Sequence, residues 1–202
     1  MKNKFALLAL LGLFLAGFNN IYAQESDSIL AEEVVEETTT SIRRGVLTPD
    51  ELLIEYNLCF DALIKSIHLP HLLHFLRQNP TLRCVINHGA KPNIASGEWD
   101  SWKTGIAKIA QQTDAFCKIS GLITETSDEQ DYSVLAPYID YLVNQFGPER
   151  LIWGSDWPVL NLAADYLSWY QAAQGLLNNL NLQEKELVFG LNAQKAYQLK
   201  LS

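Results

Sequence analysis

Residues 151–159, LIWGSDWPV, join a short apolar run to an acidic turn. The apolar residues are typical of a buried strand, Gly154 and Ser155 end it, and Asp156 precedes a Trp-Pro turn. Open α/β sheets and barrels bind ligands where their strands end, because the loops converge there while the strands hold side chains rigidly. Asp156 is therefore a candidate catalytic carboxylate. An Asp at this position also suits a cap of the following turn, and both interpretations stay open.

Strand-like runs alternate with helical patterns over most of the chain. Helical spacing of apolar residues predicts helices, with Gly190 and Asn192 marking the end of one and the cap of another. The runs of strand type are 57–63, 83–87, 115–120 and 150–155, and the helical patterns are 70–78, 99–111, 137–146, 162–177 and 184–199. Strand-helix units repeated in this way predict an α/β fold with about four parallel strands, half the number in an eight-stranded barrel.

Four ordered blocks of sequence carry a family resemblance. They are NPTLRCVINHGAKP at 79–92, CKISGL at 117–122 with Thr124 and Glu125, FGPER running into GSDWP between 146 and 158, and FGLNA at 189–193 with Tyr197. Together they resemble the amidohydrolase-related (amidohydrolase 2) lactonases, which include fuconolactonases, rhamnonolactonases and pyrone-dicarboxylate lactonases. The resemblance implies the C-terminal half of a (β/α)8 TIM-type barrel and the hydrolysis of a lactone.

The resemblance also implies roles for individual residues. Asp156 matches the aspartate that takes a proton from the attacking water, and His88 matches the histidine that contacts a metal or the substrate carbonyl. Such a pair suits ester hydrolysis, because water must lose a proton as an oxyanion forms. Lys118 and Trp157 are assigned to substrate binding. Three roles stay open for the Lys118 ammonium: binding a substrate carboxylate, pairing with Asp156, or extending outward into solvent.

The chain also departs from the family pattern, since it contains no His-x-His pair. His88 and Asp156 supply two zinc ligands, whereas protein zinc sites usually have three or four. We therefore expect either a single divalent metal ion, zinc, as cofactor or no cofactor at all. Two hypotheses follow. One is a lactonase-like hydrolase, truncated and weakly active, and the other is an inactive half-barrel with at most a binding role.

Three more histidines precede His88 in the sequence. His71 and His74 are three residues apart on a predicted helix, and His68 lies just before it. Helices of such barrels lie outside, away from the strand ends that carry the chemistry. We therefore interpret these histidines as parts of a solvated helix rather than as a metal site.

The N-terminal region differs from the rest in composition. Lys2 and Lys4 precede the apolar run 5–18, and Ala23 offers a small residue before cleavage, which predicts a signal peptide at 1–23 and a secreted or periplasmic protein. An uncleaved anchor is the alternative, although the run is short for a membrane span. Residues 24–51 are acidic and predict a disordered spacer, so the partial barrel is assigned to 52–202.

The net charge excludes some classes of binding partner, and the cysteine count bears on disulfide bonding. The chain carries 15 basic and 23 acidic side chains, which argues against nucleic acid or an anionic membrane as partner. Its three cysteines lie in apolar runs and are interpreted as buried apolar residues rather than a disulfide and a spare thiol. The family resemblance implies a small-molecule lactone as substrate. A half-barrel leaves two sheet edges open, so we expect a homo-oligomer as the assembled form.

Overall fold

The computed structural model describes residues 47–127 and 131–200. The predicted signal peptide and residues 24–46 of the predicted spacer lie outside the described residues. The chain divides into two units, one ending at Asn57 and the other starting at Leu58.

The described part of the first unit contains helix α1, Pro49–Glu55. Thr48 caps it through a reciprocal pair of bonds: Glu51 N donates to Thr48 Oγ1 over 3.4 Å, and Thr48 N donates to Glu51 Oε2 over 2.8 Å. Proline at the first helical position adds to this start signal. The helix therefore overlaps the last three residues that composition assigned to the acidic spacer.

The second unit is built on a parallel sheet with the strand order β1-β2-β3-β4, which confirms the predicted α/β class with four parallel strands. The strands are β1 Phe60–Ala62, β2 Cys84–Ile86, β3 Phe116–Ile119 and β4 Leu151–Trp153. Each is shorter than its predicted run, because the residues after the strand turn away to form loops. Those loops carry His88, Asp156 and Trp157, whereas Lys118 lies within β3.

Helices follow the strands at the predicted places. They are α2 Leu69–Gln78, α3 Asp100–Gln112, α4 Ala136–Phe146, α5 Tyr166–Leu176, α6 Leu182–Glu186 and α7 Asn192–Tyr197. The start of α5 lies later than predicted because Asp165, and no earlier residue, caps it, accepting a bond from Ser168 N over 2.9 Å. Within 47–127 and 131–200, no helix is long and apolar enough to cross a membrane.

The prediction of a helix stop at Gly190 and a new cap at Asn192 is wrong. A π-helical segment, Leu187–Leu191, joins α6 to α7 without a break. Asn192 is buried, and its Nδ2 donates to the carbonyls of Pro148 and Leu151 over 2.6 and 2.7 Å. Its side chain therefore serves the start of β4, a contact that the local sequence does not reveal.

The two faces of the sheet have different partners. Side chains alternate along each strand, so neighbouring residues enter different clusters. One face packs with the surrounding helices and contributes Ala62, Cys84, Ile86, Cys117, Ile119 and Leu151. The other contributes Val85, Phe116 and Ile152, which pack with Ala196 and Tyr197 of α7. The cysteines are free, as predicted, with Cys84 and Cys117 buried and Cys59 half-buried.

Candidate active site

His88 stands just beyond the end of β2, on a turn of unusual backbone. Residues 88–91 all have left-handed φ angles, of 55°, 56°, 62° and 48°. A residue with a Cβ atom loses roughly 1–2 kcal/mol in this conformation, so the three that carry one, His88, Ala90 and Lys91, need support from their surroundings. Strain of this kind concentrates at functional sites, and here it sets the direction of the His88 side chain.

Asp156 follows β4 and also has a left-handed φ, of 60°. Its main-chain carbonyl accepts a bond from Leu160 N over 2.9 Å, which closes the next turn. Its side chain faces His88 instead: Oδ1 lies 3.5 Å from His88 Nε2. The sequence left a catalytic and a capping role open for Asp156, and the backbone takes the capping part while the carboxylate points to the histidine.

Ser120, which follows β3, completes a line of three polar groups across the strand ends. Its Oγ lies 2.8 Å from His88 Nδ1, and the residue is buried. The strands run in the order β2-β3-β4, so adjacent strand ends supply all three side chains. His88 is therefore held through both ring nitrogens, by a hydroxyl on one side and a carboxylate on the other.

Gly121 leaves the space in which this pair meets. A Cβ at this position would lie 2.6 Å from His88 Nδ1 and 2.9 Å from Asp156 Oδ2, and the φ of Gly121 is +60°. Both the backbone angle and the close approach exclude a side chain. Glycine is thus required here by the packing of the two candidate catalytic groups.

Burial lowers the pKa of His88 below its ordinary 6.5, because the charged imidazole loses solvation. Asp156 opposes this by attracting the proton, whereas the ammonium groups of Lys91 and Lys118 lower the pKa further. Lys91 is itself ion-paired with Glu125. The net effect favours neutral imidazole near pH 7, the form that both accepts and donates a hydrogen bond.

Lys118 does not pair with Asp156, one of the three roles that the sequence left open. Its Nζ bonds Asp61 Oδ1 of β1 over 2.9 Å and lies 5.3 Å from the centre of the Tyr197 ring. The Tyr197 hydroxyl donates to the same Asp61 oxygen over 2.7 Å. Burial and this bond raise the pKa of Tyr197. The charge of the Lys118 ammonium is therefore balanced by Asp61, on the face of the sheet that α7 covers.

Trp157 lies beside Asp156 and is 68% exposed. Its main-chain nitrogen donates to Ser155 Oγ over 3.2 Å, which fixes the backbone of the turn and leaves the indole facing solvent. An exposed aromatic ring next to the candidate catalytic carboxylate suits a role in covering a bound ligand.

The described residues offer few donors for a metal centre. His88 and Asp156 come together, but among the described residues no group of three or more His, Cys, Asp and Glu side chains is placed to hold an ion. Zinc sites generally have at least three protein ligands, so these residues do not fit one. His71 and His74 are exposed on α2, in agreement with their interpretation as a solvated face.

Sequence reasoning missed Ser120, Gly121 and Asp61. Ser120 and Gly121 stand after a strand in the same way as His88 and Asp156, so extending the strand-end argument to β3 would have found them. Nothing local singled out Asp61, whose partner Lys118 is 57 residues further along the chain.

The fold is a parallel α/β sheet with its candidate polar groups at the carboxyl ends of the strands, the arrangement found in barrels of parallel strands and helices. The chain belongs to the Amidohydrolase family, whose model matches residues 49–199. It is 40% identical over 153 residues to an L-fucono-1,5-lactonase of Burkholderia ambifaria, covering 74% of this chain and 53% of that protein. An L-fucono-1,5-lactonase of Burkholderia multivorans is 28% identical over 151 residues, covering 69% and 51%.

A solved structure shares the fold. It is an amidohydrolase from Burkholderia multivorans, crystallised with bound zinc, which matches with a TM-score of 0.72 and 27% identity. The match covers 75% of this chain and 56% of that one. The chain thus spans about half the length of the relatives it matches, and its four parallel strands correspond to part of an amidohydrolase barrel.

Proposed function

We propose that the chain acts in the hydrolysis of a sugar-acid lactone, with Asp156 as general base and His88 as the group that polarises the carbonyl. The observation that carries this proposal is the pairing of His88 Nε2 with Asp156 Oδ1 at 3.5 Å, between the ends of the two strands that flank β3. Similarity to two L-fucono-1,5-lactonases supports the choice of substrate class. Turnover is expected to be slow, because help from a general base alone contributes only about 10²-fold to 10⁴-fold.

The distance between the two groups matters for the mechanism. At 3.5 Å they are further apart than in a tight hydrogen bond, so a water molecule or a substrate oxygen has room to contact both. Asp156 accepts the proton of water as the water oxygen bonds to the lactone carbonyl carbon. His88 donates its Nε2 hydrogen to the carbonyl oxygen, where negative charge develops.

Ring opening completes the reaction. The bond between the carbonyl carbon and the ring oxygen breaks, and Asp156 returns the proton to that oxygen, so that the product is a hydroxy acid. Ser120 supports this sequence by donating its hydroxyl hydrogen to His88 Nδ1, which leaves the imidazole hydrogen on Nε2. Asp156 thus acts first as a base and then as an acid, and no proton is lost or gained overall.

The only reason to expect zinc is a related solved structure that contains it. The described residues supply two donors and do not fit a zinc centre, so no step is assigned to a metal here. We expect purified protein to contain less than one zinc per chain, as measured by atomic emission. Zinc at one per chain, lost in both His88→Gln and Asp156→Asn, would contradict this expectation.

The test of the function is a pH-indicator assay on a panel of aldonolactones. Slow turnover is expected in the wild type, together with its loss in Asp156→Asn and His88→Ala. Turnover that is unaffected by Asp156→Asn would overturn the assignment of the base. Complete absence of turnover in the wild type, with the fold intact, would favour the alternative of an inactive domain with a binding role.

Two further properties are proposed with this function. The sheet has β1 and β4 at its edges, and Leu63 near one edge and Leu162 after the other are strongly exposed, which supports association into a dimer or larger oligomer. A compact, cooperatively unfolding monomer in light scattering would contradict it. Export is proposed from residues 1–23, and an intact Met1 in the secreted or periplasmic fraction would contradict cleavage.

A further inference from the structure

Two fully buried tryptophans bond to the loops that carry the candidate catalytic groups. Trp102 Nε1 donates to the carbonyl of Gly89 over 2.7 Å, and Gly89 follows His88 directly. Trp169 Nε1 donates to the carbonyl of Gly154 over 2.9 Å, two residues before Asp156. Both indole side chains have no exposed surface.

The same arrangement occurs in two strand-helix units. Trp102 lies in α3, the first long helix after β2, and Trp169 lies in α5, the first α-helix after β4. In each unit the helix therefore reaches back to the loop that left its own strand. Since an indole is large and rigid and has one donor, packing of the ring fixes the position of the carbonyl that it binds.

These bonds occur where the backbone needs support. His88 and Asp156 both have left-handed φ angles, and neither is glycine. A left-handed residue with a side chain persists only when its surroundings hold it in place. Gly89 is held from a second side as well, because a Cβ there would lie 3.3 Å from Leu122.

We infer that Trp102 and Trp169 are positioning residues, which hold the loops of His88 and Asp156 so that the imidazole and the carboxylate meet. The inference rests on the proposed function for its consequence in catalysis, but the geometry that it describes is measurable without turnover. Misplacement of catalytic groups by about 1 Å costs up to 10²-fold in rate. Loss of either indole donor should therefore slow turnover without a matching change in KM.

The test uses Trp102→Phe and Trp169→Phe, which keep an aromatic ring and remove the donor. Tyr138→Phe is the matched control, because it removes a hydroxyl that donates to the carbonyl of Glu98 over 2.9 Å, a bond that does not involve a candidate catalytic loop. The first readout is the NMR spectrum of the His88 ring. The chain has four histidines, so the ring signals are few and His88→Gln identifies the relevant ones.

The expected result is a shift or broadening of the His88 ring signals in both tryptophan variants and an unchanged spectrum in Tyr138→Phe. Turnover, where the wild type has it, should fall about 10-fold in the tryptophan variants. His88 signals that superimpose on those of the wild type in both folded variants would overturn the inference and leave the indoles as core residues. If one variant does not fold, the other decides. A wild type without lactonase activity would overturn the proposed function and leave the NMR result to decide the positioning role.

Discussion

The two ends of the parallel sheet use polar side chains in opposite ways. At the carboxyl end, His88, Ser120 and Asp156 face one another in a space that Gly121 keeps open. At the amino end, Arg150 binds main-chain carbonyls: its Nη1 donates to Thr113 over 2.9 Å and its Nη2 to Ala110 over 3.0 Å.

The difference has a physical reason. Carbonyls at the end of a helix need donors, so a side chain that supplies several donors there stabilises the fold. Groups that face one another across a gap do not complete the hydrogen bonding of the backbone, and they stay available for a ligand. In barrels of this type the carboxyl end carries chemistry and the amino end carries stability. The following substitutions test that division, from the largest expected effect to the smallest.

Asp156→Asn should abolish whatever lactonase activity the wild type has, by about 10²-fold to 10⁴-fold, because the amide cannot accept the proton of water. The free energy of unfolding should change little. Asp165→Asn is the control, since Asp165 caps α5 and Asn caps a helix about equally well. Initial rates and urea denaturation measure the two effects, and a large loss of stability in Asp156→Asn would count against a purely catalytic role.

Arg150→Met should lower the free energy of unfolding by about 3 kcal/mol, because it leaves carbonyls at the ends of two helices without a charged donor. Arg150 also donates to the carbonyl of Phe146 over 3.2 Å. Arg150→Lys should recover only part of the loss, since an ammonium does not reproduce the guanidinium fork. Arg77→Met is the control, because Arg77 is exposed. An equal loss of unfolding free energy in both variants, measured by urea denaturation, would contradict a special stabilising role for Arg150 at the amino end of the sheet.

Gly121→Ala should separate His88 from Asp156 and lower the free energy of unfolding by about 2 kcal/mol, through a strained φ and a close approach. Gly97→Ala is a matched control, because Gly97 has a φ of +71° and nothing within 4 Å of an added Cβ. The difference between the two variants isolates the contact with His88 and Asp156. Equal unfolding free energies for both variants would mean that this contact is easily relieved.

The pKa of His88 should lie below 6.5, because burial disfavours the charged ring. The folded chain then binds this proton less tightly than the unfolded chain does. The corresponding stability is present above pH 6.5 and is lost as the pH falls through the lower, folded-state pKa. Asp156→Asn should lower the pKa of His88 further, since the carboxylate raises it. An NMR titration measures both values, and a wild-type pKa above 6.5 would contradict the argument.

The sequence by itself determined the four parallel strands, the helices between them and two of the three polar groups at the strand ends. Strand and helix periods are local properties, so the order of elements could be predicted from apolar spacing. Asp156 was singled out because it follows a recognisable strand, and His88 was singled out through the family resemblance. Ser120 also follows a strand, so the strand-end argument extends to it, although serine is a less specific signal than aspartate or histidine.

Only the tertiary structure decided how these residues act. It joined Lys118 to Asp61 and Asn192 to the start of β4, and it brought His88 Nδ1 to Ser120. These partners lie 32 to 57 residues apart, so no local period or motif connects them. The left-handed backbone at His88 and Asp156 is likewise imposed by packing, because the intrinsic preference of both residues opposes it. Local sequence sets the elements, and contacts between distant elements set the geometry of the site.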